Sequence, residues 1–142
     1  MLIHIKRADI SDAPALQQLN EAFNENGMTV ESIAASLREE RKEIIFIAYA
    51  DGQPAGFISG ITNQSIWYKS LYASVDELFV DEAYRRRGIA SKLIEAMEAE
   101  FRIIGVAAAF ILTGAKNEAA QAAYAKCGYE GYTRMEFKKN IS

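Results

Sequence analysis

Apolar and polar positions along this chain change period several times, and each change predicts an element. Ile3 to Lys6 alternates and predicts a short strand. Ser11-Asp12 suits a helix cap with Pro14 in the first turn, and Leu16, Leu19 and Phe23 then recur at helical spacing. Asn26-Gly27 predicts the stop. Thr29 is expected to cap a second helix with Ile33 and Leu37 on its apolar side. Glu43 to Ala50 is rich in β-formers, Asp51-Gly52 is a hairpin signal, and a partner strand is expected from about Ala55 to about Ile61. Leu71 to Val80 predicts the next strand.

Past Gly88, residues Ile89, Leu93, Met97, Phe101 and Ile104 share one face of a helix, with Lys92, Glu95, Glu98 and Arg102 elsewhere. Val106 to Leu112 is an unbroken apolar run bounded by Gly105 and Gly114, the pattern of a strand buried on both faces. Asn117 to Lys126 is Ala-rich and helical, Cys127-Gly128-Tyr129 ends it, and Tyr132 to Lys138 predicts a last strand. The order β-α-α-β-β-β-α-β-α-β describes one mixed α/β domain over residues 1–142, with a central sheet and helices on its faces. No repeat or linker-like segment interrupts it.

Composition narrows the classes. The 142 residues are half hydrophobic and one quarter charged, ordinary for a globular chain with a real core. A net charge of −3 argues against general nucleic-acid binding. Cys127 is the only cysteine, so no intrachain disulfide forms. The N-terminus lacks the apolar core of a signal peptide, and the run from Ile103 to Leu112 is too short to span a bilayer. A cytoplasmic protein with no membrane partner is expected. His4 is the only histidine, so a Ser-His-Asp or Cys-His system would depend on the first strand, and the ligands for a metal site are too few. Trp67, Tyr68 and Tyr72 would line an acceptor cleft, or else form core or the surface of a homodimer.

The candidate chemistry concentrates after Val80. Arg85, Arg86 and Arg87 precede Gly88-Ile89-Ala90 at the start of a helix. Free N–H groups at a helix start attract anions, small residues admit a phosphate to the main chain, and adjacent cations add charge-assisted bonds. The segment is a candidate pyrophosphate cradle, with nucleotide or RNA binding as another use of the three arginines.

This stretch, Arg85-x-x-Gly88-x-Ala90, resembles motif A of the GNAT N-acetyltransferase superfamily. A second stretch is similar to its motif B: Asn117, Ala120, Tyr124, Gly128 and Tyr129 all match. Seven residues separate Asn117 from Tyr124, which puts them on one helix face about 10 Å apart. The resemblance implies the GNAT fold, a mixed, mostly antiparallel sheet of six or seven strands with about four helices. It implies acetyl-CoA as co-substrate, bound through Arg85 to Ser91, with the main chain of Leu78, Phe79 and Val80 pairing with pantetheine. It further implies that Asn117 contacts the pantetheine arm and that the Tyr124 hydroxyl lies near the thioester sulfur. The segment before the loop also resembles aminoglycoside acetyltransferases. One position departs from the family: many members have glycine where Arg86 stands.

Acetyl transfer to an amine needs a base and an acid. A lysine-like amine has a pKa of ~10.4, so neutralising it at pH 7 costs roughly 4–5 kcal/mol. Glu77, where GNAT enzymes often carry a carboxylate, is the expected base, with Asp76 the alternate. Strand alternation puts the two on opposite faces, and a β-bulge, common here in the family, would change which one faces the site. Tyr124, protonated at pH 7, is the expected acid for the leaving thiolate. Glu21, Glu25 and Glu31 are expected near the acceptor and favour a cation: a small-molecule amine, such as a polyamine or aminoglycoside, or a peptide N-terminus. A non-catalytic acyl-CoA-binding module would keep Arg85 to Ala90 but need neither Glu77 nor Tyr124.

Overall fold

The structure is a computed structural model that describes residues 1–113 and 116–142. The chain divides into two compact units, Met1–Leu112 and Thr113–Ser142. The first holds strand β1 (Ile3–Arg7), helices α1 (Ala13–Asn24) and α2 (Val30–Arg38), strands β2 (Glu43–Ala50), β3 (Gln53–Asn63) and β4 (Leu71–Val80), helix α3 (Ile89–Ile104) and strand β5 (Val106–Ile111). The second holds helix α4 (Glu118–Lys126).

The sheet runs in the order β1-β2-β3-β4-β5. Its first three pairings are antiparallel and the last, β4 with β5, is parallel. The sheet is therefore mixed and has five strands among the described residues, where six or seven were expected. The missing strand is Tyr132 to Lys138, which enters no ladder among the described residues; Met135 and Phe137 are exposed. β-propensity describes fit to a pleated, half-buried surface, and without a partner strand it makes no strand. The segment β5 also departs from expectation. It is the edge of the sheet, and Phe110 is 55% exposed, so its continuous apolar pattern does not report burial on both faces. Its expected boundary at Gly114 lies outside the described residues.

Helix α3 covers one face of the sheet and α1 with α2 the other. On the α3 side, Ile89, Leu93, Met97 and Phe101 are buried, as the spacing predicts; Ile94 is buried beside them without being expected there, and Ile104 at the helix end is exposed. On the other side Leu16, Leu19, Ile47 and Phe57 form a core, with Ile33 and Leu37 of α2 packed against it. Close approach is required at two glycines. A Cβ on Gly56 would stand 2.6 Å from the Phe79 carbonyl oxygen, and one on Gly60 would stand 2.9 Å from Cζ of Phe101.

Thr29 caps α2 as expected, its hydroxyl accepting from the Ser32 N–H at 3.0 Å. Helix α1 begins differently. Asp9 and Asp12 form a reciprocal cap on a 3₁₀ turn, Ile10–Asp12, and the Asp12 side chain points into the fold. Asp12 is 3% exposed. It accepts from the Tyr49 hydroxyl at 2.6 Å, from Lys6 Nζ at 2.8 Å and from the Asp9 N–H at 2.9 Å. Burial pushes the Asp12 carboxyl up, but these donors outweigh it and hold the group below the usual carboxylate range. Burial, and then the Asp12 carboxylate, push the Tyr49 phenol well above its ordinary value.

This network makes stability depend on acid. A carboxyl whose pKa is lowered by folding stabilises the fold above its unfolded value near ~3.9, and that contribution disappears as pH falls toward the folded value. Denaturant titrations from pH 7 to pH 2 should show Asp12→Asn costing about 2 kcal/mol at pH 7 and Tyr49→Phe about 1 kcal/mol. The wild type should lose more stability than Asp12→Asn below about pH 4. Parallel pH curves would show that Asp12 is not the acid-sensitive group.

Candidate active site

The site is built where β4 changes character. Ser59 pairs with Glu77 and Gly60 with Val75, so Asp76 is an extra residue, a β-bulge. Before it, Val75 is buried on the face of Gly60, which meets Met97 and Phe101 of α3. After it the odd positions turn to the other face. Phe79 pairs with Phe57 and stacks on Phe23 of α1 with ring centroids 5.0 Å apart. Glu77 goes with it, and its Oε2 accepts from Asn24 Nδ2 at 3.1 Å. Asp76 is exposed and its Oδ1 accepts from the Ser74 hydroxyl at 2.8 Å.

The bulge also ends the parallel ladder. The strand β5 pairs with β4 only from Leu71 to Val75. From Glu77 to Val80, β4 keeps its β3 partner, but its other edge has no ladder partner among the described residues. Leu78, Phe79 and Val80 thus lie on a stretch of β4 whose outer edge has no ladder partner among the described residues.

The chain then enters the arginine loop. Asp81 caps a 3₁₀ turn at Glu82–Tyr84, and Arg85 Nε donates back to the Val80 carbonyl at 2.9 Å. Arg86 takes a left-handed conformation, φ +65°, that costs a side-chain-bearing residue energy. Gly88 follows at φ +76° as the N-cap of α3 and supplies no side-chain cap. A Cβ there would meet open space, so the loop is accessible above the helix start. Ile89 is fully buried and anchors the loop; Ala90 and Ser91 lie in the first turn, and Lys92 N–H makes the first helical bond to the Gly88 carbonyl. Among the described residues, none of Arg85, Arg86 and Arg87 forms an ion pair. Amides, small residues and unpaired cations fit a diphosphate.

On the α1 and α2 face the first unit holds a cavity of about 510 Å³. Glu77, Ser59, Ile45, Phe57 and Glu43 line it from the sheet, Leu16 and Asn20 from α1, and Ile33, Ser36 and Leu37 from α2. The asparagines behind Glu77 form a relay. Asn24 Nδ2 also donates to Asn20 Oδ1 at 2.7 Å, and Asn20 Nδ2 to Asn26 Oδ1 at 2.7 Å. Neither this relay nor Glu43 was among the residues expected at the site. The i, i+4 spacing of Asn20 and Asn24 was the trace of the first; a lone charge opening the apolar run of β2 was the trace of the second. Burial, joined by the negative charges of Asp76 and Glu77 and opposed by Arg41, holds the Glu43 carboxyl above its ordinary value.

The remaining candidates stand outside the cavity. Glu21, Glu25 and Glu31 do not line the cavity. They lie off the helix faces that do, and Glu21 instead accepts from the Gly27 N–H at 3.2 Å. Trp67 and Tyr68 stand exposed between β3 and β4 rather than in the core or the cavity, and Tyr72 makes an edge contact with Phe110.

Asn117 and Tyr124 belong to the second unit. Asn117 caps α4, its side chain accepting from the Ala120 N–H at 3.2 Å. Tyr124 is half-buried, and burial raises the pKa of its phenol, which keeps the proton in place at neutral pH. Gly128 stands past the helix end at φ +92°, where its N–H bonds the Ala125 carbonyl.

The acetyltransferase (GNAT) family profile matches residues 12–129, so the chain belongs to the GNAT acetyltransferase family. Comparison with curated proteins finds no match. Among solved structures, the chain is similar to aminoglycoside N-acetyltransferase AAC(6')-Iy in complex with a bisubstrate analogue, CoA-S-monomethyl-acetylneamine. The TM-score is 0.87 at 19% identity, over 100% of both chains. It is similar to an aminoglycoside acetyltransferase from an uncultured soil metagenomic sample in complex with sisomicin, at TM-score 0.86 and 20% identity, over 99% of this chain and 97% of that one. A ribosomal-protein-alanine N-acetyltransferase from Brucella melitensis biovar Abortus 2308 follows at TM-score 0.80 and 16% identity, over 98% of this chain and 100% of that one. At these identities the likeness shows the fold.

The arginine loop yields a prediction about stability. Glycine at position 86 would relieve the left-handed strain, roughly 1–2 kcal/mol, against a flexibility cost of about 0.5–1 kcal/mol. Arg86→Gly should therefore raise unfolding free energy by about 0.5–1 kcal/mol in denaturant titrations. A variant less stable than wild type would show that the Arg86 side chain makes a stabilising contact.

Proposed function

We propose that the whole chain acts as one cytoplasmic N-acetyltransferase domain that passes the acetyl group of acetyl-CoA directly to a primary amine, with no covalent enzyme intermediate. The observation that carries this reading is the bulge at Asp76, which turns Glu77 into the cavity and leaves the neighbouring strand edge open. Family membership supports it.

Acetyl-CoA supplies a thioester whose carbonyl carbon accepts the amine. Arg85, Arg86 and Arg87 with the amides of Gly88, Ile89, Ala90 and Ser91 hold its diphosphate, and Leu78, Phe79 and Val80 pair with its pantetheine arm through main-chain groups. Asn117 contacts the same arm. Glu77, oriented by Asn24, takes a proton from the acceptor ammonium directly or through water, so that the C–N bond forms from a neutral amine. As the C–S bond breaks, the Tyr124 hydroxyl gives its proton to the departing sulfur. The acceptor is a small-molecule or peptide amine: aminoglycosides are the candidates that the structural relatives bring in, and the cavity carboxylates favour a cationic group of any amine, polyamines included.

Coenzyme A release measured with a panel of amines tests the reaction. Tyr124→Phe should lower kcat about 10²-fold while calorimetry gives an acetyl-CoA affinity within about twofold of wild type. Equal turnover in the two proteins would remove Tyr124 from the chemistry. No heat with any coenzyme A thioester would overturn the proposed activity.

A further inference from the structure

The walls of the Glu77 cavity differ in kind. Its floor is apolar: Ile45 and Phe57 from the sheet, Leu16 from α1, and Ile33 and Leu37 from α2. Its charged residues are partly spoken for. Arg7 bridges Glu100 at 3.3 Å and Arg41 bridges Glu39 at 3.0 Å. Glu40 lines it from the loop after α2, and Glu43 and Glu77 line it from the sheet; none of these forms an ion pair among the described residues, although the Arg41 charge acts on Glu43. Glu43 stands two residues before Ile45 on β2, so both side chains share the cavity face of the sheet. Glu77 and Ser59 share that face through their cross-strand pairing.

Neutral hydrogen-bonding groups are few. They are Ser36 on α2, Ser59, which is buried, and Asn20, which is engaged with Asn24 and Asn26. A polyhydroxylated acceptor pressed onto this floor would leave hydroxyls without partners, and unpartnered polar groups are costly to bury. An apolar arm gains from the same contact. Glu43 and Glu77 add the complementary charge for one ammonium group.

Resting on the acetyltransferase reading, we propose that this cavity takes a primary amine carried on a short apolar arm, alkyl or aryl, rather than an aminosugar. The arm lies on Ile45, Phe57, Leu16, Ile33 and Leu37. Glu43 holds the ammonium beside Glu77, which makes Glu43 a specificity residue for the acceptor.

Wild-type protein is assayed for thiol release with acetyl-CoA and n-alkylamines from propylamine to hexylamine, against glucosamine and neamine. The proposal predicts kcat/KM rising about threefold per added methylene, with both aminosugars at least about tenfold below hexylamine. Glu43→Gln should raise the KM for hexylamine about tenfold without changing that for acetyl-CoA. Leu37→Ser, on the half-buried face of α2, should flatten the chain-length series. A flat wild-type series, or neamine ahead of hexylamine, overturns the acceptor class and leaves acetyl transfer standing. If no amine releases thiol, calorimetry of hexylamine and neamine with the protein alone decides. Hexylamine tighter by about tenfold upholds the cavity's preference while the proposed activity falls; equal or absent binding overturns the preference too.

Discussion

One surplus residue in β4 governs the rest of this architecture. Were Asp76 an ordinary paired residue of a regular strand, alternation would place Glu77 and Phe79 with Val75 under α3, in a core already filled by Met97 and Phe101. The insertion sends them to the α1 and α2 face, where Phe79 stacks on Phe23 and the Glu77 carboxylate meets Asn24. The same residue stops the ladder to β5, because a bulge increases local twist and strands that diverge cannot keep hydrogen-bonding. Gly60 sits opposite the bulge, where the packed ring of Phe101 leaves no room for a Cβ. A carboxylate in a cavity and an open strand edge are thus two results of one backbone event.

Two residues of the candidate site depart from local rules. Arg86 occupies a left-handed conformation, and Glu43 is half-buried near two other carboxylates. Such features persist only where the surroundings over-determine them. Here the surroundings are the buried face of α3 that anchors Ile89, the core of Leu16, Leu19, Ile47 and Phe57, and the Asp12 network joining β1 and β2 to the start of α1. The last of these is fully satisfied, which suits a buried charge that must not move.

Much of this was legible from residue order. The spans Glu43 to Ala50 and Leu71 to Val80 are strands with those limits, and the apolar positions of α3 bury as their spacing predicts. The bulge left a fainter trace, the adjacent polar pair Asp76-Glu77 inside an otherwise alternating strand. The acceptor-side carboxylates were misplaced because helical phase decides them: α2 turns Ile33 and Leu37 to the cavity and so carries Glu31 away. Tyr132 to Lys138 has the composition of a strand, but composition cannot supply a neighbour to pair with. Glu43 left only its charge at the head of the apolar run of β2, because the burial and the Asp76 and Glu77 charges that mark it come from tertiary neighbours.

The bulge account is tested most directly by comparing two single-atom-group changes on either side of the backbone shift. Steady-state kcat/KM for acetyl transfer is measured for Asp76→Asn and Glu77→Gln under the same conditions. A loss of about 10²-fold or more in Glu77→Gln, with Asp76→Asn within about threefold of wild type, is the predicted result. The reverse ranking would contradict the claim that the extra residue turns Glu77, rather than Asp76, toward the reacting amine.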